Sequence, residues 1–321
     1  MGGTMRYFVT GATGFIGSHV AAQLRARGDE VVAIVRSPKK QSLLPSLGVE
    51  VVVGDVIDRD SLRTPMRGVD GVFHIAGWYK IGVKDRRTAL ATNVEGTRNV
   101  LSVMQELGIR RGVYTSTLAI FSDTLGAIRD ESYRSPARWL TLYDESKWRA
   151  HYEVAEPMIR EGLPLTIVLP GAVYGPGDTS PMHDVWVEYL SRKLRAVPKT
   201  TALCFGHVDD TAQGHLLAMD KGKSGESYII AGPPHTLVEA IAIGSHATGI
   251  PGPSSHPSRG MIRFLAALTR NERLRIAAAT YLGSNAKAHR ELGFAPRPLE
   301  GGLPPTLKDE LERLSRKAAA G

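Results

Sequence analysis

Three glycines at three-residue intervals, in Gly11-Ala-Thr-Gly14-Phe-Ile-Gly17, stand where a short apolar run stops and a helical pattern starts. The run is Tyr7 to Thr10, and the helical pattern continues to about Arg27. Glycine at such a junction permits a tight turn and close backbone approach, and the free N–H groups of a helix start attract a pyrophosphate. A strand–helix turn without a ligand would use the same residues. Context favours a dinucleotide loop, because Gly28-Asp29 ends the helix and a second buried run, Val31 to Val35, follows at βαβ distance. Gly11, Thr13, Gly14, Phe15 and Ile16 are the loop residues expected to touch the cofactor.

Further apolar runs follow at Val49–Val53, Val69–Ile75, Gly112–Thr115 and Leu165–Leu169, with helical stretches over Thr88–Leu107 and about Asp144–Arg160. Runs of Val, Ile and Leu that do not alternate with polar residues belong to a sheet covered on both faces. The fold class is therefore α/β, a Rossmann-type doubly wound parallel sheet over residues 1–175. Beyond Pro170 the rhythm loosens. Val185–Leu194 reads as a helix, His207-Val-Asp-Asp210 as a loop and Thr211–Met219 as a short helix. Pro251-Gly-Pro-Ser-Ser-His-Pro257 breaks the chain before an Ala/Leu/Arg-rich helical region ending near Tyr281, and Leu307–Lys317 reads as a charged closing helix. Residues 176–321 are expected to form a smaller, mostly helical substrate-binding region, with a return segment of about 203–235 rejoining the first domain.

Over 321 residues, 42% hydrophobic and 22% charged content exclude wholesale disorder. One cysteine, Cys204, excludes an internal disulfide or a Cys-cluster metal site and reads as a small buried hydrophobe. The ten histidines show no metal-ligand spacing, so no metal is expected. Forty Lys+Arg against 32 Asp+Glu give +8, but the basic residues are spread and not interleaved with stacking aromatics, so no nucleic-acid partner is expected. No run approaches the ~18 apolar residues of a membrane span, and no membrane partner is expected. The opening Met-Gly-Gly-Thr-Met leads straight into a strand-like run without a charged-then-apolar leader, which makes the cytoplasm the default location.

After the second strand an acidic residue would bind the 2′-hydroxyl of NAD, yet this chain has Arg36-Ser-Pro-Lys-Lys40. Arg36 and Lys40 could pair with a 2′-phosphate, so NADP (NADPH) is preferred and NAD is the alternative. Asp55 and Val56 follow the third strand, where Asp55 could accept from an adenine amino group or cap a turn. In His74-Ile-Ala-Gly77 the small Ala76 would let the cofactor lie against backbone, and His74 is expected to be a packed, hydrogen-bonded side chain.

Tyr143-Asp-Glu-Ser-Lys147 places a phenol and an ammonium on one helix face. A nearby ammonium and an oxidised nicotinamide both favour phenolate and together are expected to move the tyrosine toward the working pH range. Tyr114-Thr-Ser-Thr117 leaves the fifth strand with hydroxyls at its carboxyl end, where open α/β sheets bind ligands.

Taken together, Gly11-x-x-Gly14-x-x-Gly17, Asp55, Asn93, the Thr-Ser-Thr117 strand end, Tyr143-x-x-x-Lys147, Pro170-Gly-Ala-Val-Tyr-Gly-Pro-Gly-Asp178, His207-Val-Asp-Asp210 and Ser284-Asn-Ala-Lys-Ala-His-Arg-Glu-Leu-Gly-Phe294 resemble the extended short-chain dehydrogenase/reductases. The likeness is to the dihydroflavonol-4-reductase and NAD-dependent epimerase/dehydratase group, and it spans nearly the whole chain. It implies an NADP(H)-dependent oxidoreductase that reduces an aldehyde or ketone to an alcohol. Tyr143 would be the general acid/base, Lys147 would hold the nicotinamide ribose, and Thr117 would be the hydroxyl on the substrate oxygen. Pro170, Gly171 and Val173 would pack on the nicotinamide ring, Asn93 would support the site, and His207 with Asp209 and Asp210 would join domains. Trp78, Tyr79, Leu118, Ile120, Tyr133, Tyr174, Met182 and Trp186 are candidates for the substrate wall, about half of them expected to be core instead. An apolar wall suits a dihydroflavonol- or steroid-like carbonyl better than a nucleotide-sugar. A sugar-nucleotide epimerase/dehydratase and a non-catalytic dinucleotide sensor are the alternatives. The last helices could serve a homodimer, although packing on their own domain is the simpler account.

Overall fold

In the computed structural model, which describes residues 3–37, 43–269 and 271–319, the apolar runs form one parallel sheet. Its strands are β1 (Arg6–Thr10), β2 (Glu30–Val35), β3 (Glu50–Val53), β4 (Gly71–His74), β5 (Gly112–Thr115), β6 (Leu165–Pro170) and β9 (Ser227–Ile230), in the order β3-β2-β1-β4-β5-β6-β9. Neighbouring residues along a strand go to opposite faces, and both faces are covered. Tyr7 and Val9 of β1, with Val31 and Ala33 of β2, pack on one side, whereas Phe8, Val32 and Ile34 pack on the other. This is why the strands read as unbroken apolar runs. Helices Phe15–Ala26, Val208–Lys221 and Ala286–Leu292 supply the first cover, and Arg59–Met66, Gly96–Glu106 and the stretch from Ala150 to Arg160 supply the second.

A second sheet joins β7 (Ala172–Tyr174), β8 (Ala202–His207), β10 (Pro234–Thr236) and β11 (Thr280–Tyr281), all paired on β8. It packs with helices Pro181–Leu190, Leu237–Thr248 and Leu299–Ala319 around Trp186, Tyr189, Phe205 and Ile241. The seventh strand of the large sheet, β9, lies within the expected return segment and pairs with β6 through Val168 and Tyr228.

Four sequence expectations are corrected here. The segment from Val208 to Asp210 is not loop but the first turn of helix Val208–Lys221, whose N-terminal Asp209 N–H is capped by His207 Nδ1 at 3.2 Å. The helix expected over Val185–Leu194 runs from Pro181 to Leu190, with Ser180 as its cap. Tyr281 does not end a helix; it sits in β11 beside Leu203. The closing helix begins at Leu299 rather than Leu307, despite Pro304 and Pro305, because Leu299, Leu303 and Leu307 form a buried stripe that outweighs the lost backbone bonds.

His207, Asp209 and Asp210 make joining contacts. Asp209 accepts from His19 Nδ1 at 2.7 Å, and Asp210 receives a forked pair from Arg297, at 2.9 Å from Nε and 2.8 Å from Nη2. Cys204 is fully buried and donates to the Gly283 carbonyl at 3.3 Å.

Candidate active site

The sheet order turns back between β1 and β4, so the crevice opens at the carboxyl ends of these two strands. Gly11 sits there with φ +75°, and a Cβ on it would meet the Ala76 nitrogen at 2.6 Å. A Cβ on Gly17 would overlap the Gly11 carbonyl. The loop is thus flattened against β4, and helix Phe15–Ala26 starts at Gly14 with no side-chain cap and no acidic residue in its first turn. Its leading N–H groups and dipole remain available to an anion.

From this point a cleft of ≈ 1350 Å³ runs between the large sheet and the helical half. Single-ligand pockets hold roughly 300–1,000 Å³, so a dinucleotide and a second molecule fit together. The structure brings Gly11, Thr13, Gly14, Phe15, Ile16, Arg36, Asp55, Val56, Ala76, Thr117, Tyr143, Lys147, Pro170 and Val173 onto its walls. Lys40 lies outside the described residues. Arg36 is exposed at the end of β2, and Asp55 uses Oδ1 to accept from the Ile57 N–H at 3.2 Å while lining the cleft. The bare helix start and the glycine cradle fit a pyrophosphate-bearing dinucleotide.

Helix Leu142–Arg149 carries Tyr143 and Lys147 into the cleft, and Thr141 caps it by accepting from the Asp144 N–H at 3.1 Å. The buried Lys147 ammonium donates to the Tyr114 hydroxyl at 3.1 Å and to the Thr115 carbonyl at 2.7 Å. Burial lowers its pKa to about 7. Behind it lies a buried polar chain. His74 stacks on Tyr114, with ring centroids 5.5 Å apart, and bonds Thr10 Oγ1 at 2.8 Å and Thr97 Oγ1 at 3.0 Å. Burial drives the His74 pKa to about 3, so the ring is neutral. Thr97 donates to the Asn93 carbonyl, leaving its oxygen to accept from His74 Nε2–H.

The protein's own groups do not by themselves lower Tyr143, and the oxidised nicotinamide on which the expected shift also depends would add to them only when bound. The Tyr143 phenol is pushed up to about 12 by burial, against which Thr117 pulls weakly, because Lys147 is directed to Tyr114 and Thr115. Ser116 Oγ bonds His151 Nδ1 at 2.9 Å, whereas Thr117 Oγ1 accepts from the Ala119 N–H at 3.2 Å and lies beside Tyr143 on the cleft wall. Asn93 Oδ1 accepts from the Trp78 N–H at 2.7 Å, and its Nδ2 donates to the Trp78 carbonyl at 2.9 Å and to Ser146 at 2.8 Å. One side chain thereby pins the loop after β4 to the helix of Tyr143. Asn93 and His151 both stand in single π turns, Ala91–Glu95 and Ala150–Ala155, within longer helices.

Of the eight wall candidates, Trp78, Tyr79, Leu118 and Met182 line the cleft. Ile120, Tyr133, Tyr174 and Trp186 do not: they pack in the hydrophobic cores, where large aromatic area is equally well used. Sequence reasoning missed Asp144, Tyr281 and the helix Glu272–Ala277, which brings Arg273, Leu274, Ile276 and Ala277 to the opposite wall. Tyr281 donates to Asp144 Oδ2 at 3.2 Å, and Thr141 donates to Oδ1 at 2.7 Å. Burial nevertheless raises the Asp144 pKa to about 6. The one available signal was an acidic residue beside the tyrosine in a helix's first turn.

The chain belongs to the NAD dependent epimerase/dehydratase family, whose sequence model matches residues 7–231. This is an extended short-chain dehydrogenase/reductase family, and the chain is an NAD(P)-dependent enzyme of the reductase, dehydrogenase or epimerase kind. A Synechocystis protein named for dihydroflavonol 4-reductase is 37% identical over 257 residues, 78% of this chain and 74% of its own. The 4-hydroxy-2-methyl-3-oxo-4-farnesyl-3,4-dihydroquinoline-1-oxide ketoreductase of Stigmatella aurantiaca is 31% identical over 314 residues, 91% of this chain and 92% of its own. The crystal structure of gox2253 superposes with a TM-score of 0.84 at 32% identity, covering 95% of this chain and 97% of that one.

Two outcomes follow from the buried polar groups. Tyr114→Phe leaves one Lys147 N–H without its acceptor, and urea denaturation should show a loss of roughly 1–3 kcal/mol with an unchanged m-value. Asp144 titrates in the folded chain near 6, above its ordinary 3.8. Between those values the folded state binds more protons than the unfolded one, so this group adds stability as pH falls through the window and withdraws it as pH rises. Asp144→Asn should remove a pH-dependent gain on the order of 2 kcal/mol. Denaturation of both proteins at pH 4 and 7 measures the difference.

Proposed function

We propose that the protein is an NADP(H)-dependent reductase that converts an apolar aldehyde or ketone to the alcohol. The observation that carries this reading is Tyr143 beside Thr117 on the cleft wall, with its phenol held protonated by burial. Carbonyl reduction needs a proton donor at the forming alkoxide, and the buried Tyr143 phenol, protonated in the chain alone, can supply it. When bound, the dinucleotide supplies hydride to the carbonyl carbon. Tyr143 gives its proton to the carbonyl oxygen, and the Thr117 hydroxyl donates a hydrogen bond to the same atom. Lys147 keeps one N–H free after serving Tyr114 and Thr115, which suits the nicotinamide ribose and places a cation near the tyrosinate left behind. Gly11 to Ile16 would hold the pyrophosphate and Arg36 a 2′-phosphate, while Pro170 and Val173 would back the nicotinamide. Trp78, Leu118, Met182, Leu274 and Ile276 give the remaining wall an apolar character. The ketoreductase relative, whose name describes a farnesyl-bearing ketone, supports that substrate class.

Tyr143→Phe should lower kcat by at least about a thousandfold, with NADPH affinity by fluorescence titration within about twofold of the parent. Retained turnover would remove the tyrosine from the mechanism. Loss of NADPH absorbance in proportion to alcohol formed marks a reductase, whereas an enzyme that restores its own nicotinamide would leave the absorbance level. Arg36→Ala should cut the preference for NADPH over NADH by roughly 10–100-fold in kcat/KM, chiefly through KM. An unchanged ratio would release Arg36 from the 2′-phosphate.

A further inference from the structure

The described surface exposes twelve large hydrophobic side chains, and eight of them belong to three linked segments, one of which lines the cleft through Tyr79 and Val83. Helix Arg259–Thr269 buries Ile262 and Ala266 but turns Met261 (50% exposed), Phe264 (68%), Leu265 (38%) and Leu268 (71%) outward. That spacing, i, i+3, i+4 and i+7, is a second apolar stripe with nothing packed on it. Leu125 (63%) and Ile128 (58%) stand on the loop after Ser122, which is tied to this helix by the Asp123–Arg259 ion pair. Leu125 holds φ 56°, a conformation that suits glycine, yet a large apolar side chain is displayed there. Tyr79 and Val83 complete the set on the loop after β4, whose Gly82 N–H donates to Glu272 at 3.1 Å. Glu272 begins the helix that lines the cleft through Arg273, Leu274, Ile276 and Ala277.

The charges among these segments are mostly of one sign. Arg263, Arg273, Arg275, Lys80, Lys84 and Arg87 are exposed, and none forms an ion pair among the described residues, whereas Arg259 is held by Asp123. A symmetric contact between two copies would bring this cationic rim against itself. An anionic surface that also accepts apolar side chains satisfies both features.

We infer that the face formed by helix Arg259–Thr269 and its flanking loops is a peripheral membrane-binding surface for anionic lipid. No described helix is long and apolar enough to cross a membrane, and none is needed. The helix lies in the headgroup region with Phe264 and Leu268 inserted and Arg263 and Arg275 on lipid phosphates. The added consequence, that an apolar substrate passes from lipid into the cleft, rests on the proposed reductase activity; the lipid binding itself does not.

The test is sedimentation of the full-length protein with phosphatidylcholine–phosphatidylserine vesicles and with pure phosphatidylcholine vesicles, alongside Phe264→Ser/Leu268→Ser and Arg263→Glu/Arg275→Glu variants. The parent should pellet with the anionic vesicles, much less with the neutral ones, and be released by salt. Each variant should bind anionic vesicles at least about tenfold more weakly, while thermal melting and NADPH binding stay as in the parent. Absence of binding to anionic vesicles, or undiminished binding by both variants, would overturn the inference. So would a parent dimer in sedimentation velocity that Phe264→Ser/Leu268→Ser converts to monomer without any vesicle affinity in the parent, since the face would then be a self-contact. None of these readouts uses turnover, so loss of the reductase reading leaves them intact.

Discussion

A buried ammonium is costly unless its hydrogens find acceptors, and Lys147 organises the centre of this molecule around that requirement. The Tyr114 hydroxyl and the Thr115 carbonyl come from β5, the strand next to β4. Tyr114 in turn stacks on His74, and His74 reaches Thr10 at the end of β1. Thr10 Oγ1 also accepts the Ile75 and Ala76 N–H groups, each at 3.1 Å. The same few groups therefore set the lysine, the end of β4 and the approach of Ala76 to Gly11. A neutral histidine is essential to this arrangement, because a second cation against Lys147 would repel it.

Burial acts on the two titratable groups of helix Leu142–Arg149 in opposite directions, lowering Lys147 and raising Tyr143. Both shifts favour the uncharged forms. In the chain alone Tyr143 is therefore neutral, while Lys147, poised near 7, is divided between its charged and uncharged forms at neutral pH. In the proposed reaction the charge of a bound cofactor would therefore share in setting the state of both groups.

Local spacing made most of the glycine loop and the Tyr143/Lys147 pair legible in the sequence, because Gly11, Gly14, Gly17, Tyr143 and Lys147 are placed by intervals of three and four residues. The parallel strands were legible for a related reason, since burial on both faces removes alternation. What escaped was produced by distance along the chain. β11 is two residues long and exists only because Thr280 and Tyr281 meet Ala202 and Leu203. Nothing in the neighbourhood of Glu272–Ala277 announces that its side chains face Tyr143 across a cleft. Spacing shows that Lys147 shares a helix face with Tyr143 but not that β5 supplies its acceptors. The eight wall candidates divided evenly between wall and core because apolar area serves both.

The interlacing of the two sheets has a consequence for biosynthesis. β6 is completed by β9, whose residues are made more than fifty positions later, after the whole of β7 and β8. Until Ser227–Ile230 leaves the ribosome, the nascent sheet ends in Leu165–Pro170, an apolar edge with unpaired backbone groups. Such an edge invites pairing between neighbouring chains on a polysome, which makes this interval of translation the one where a chaperone would be most useful.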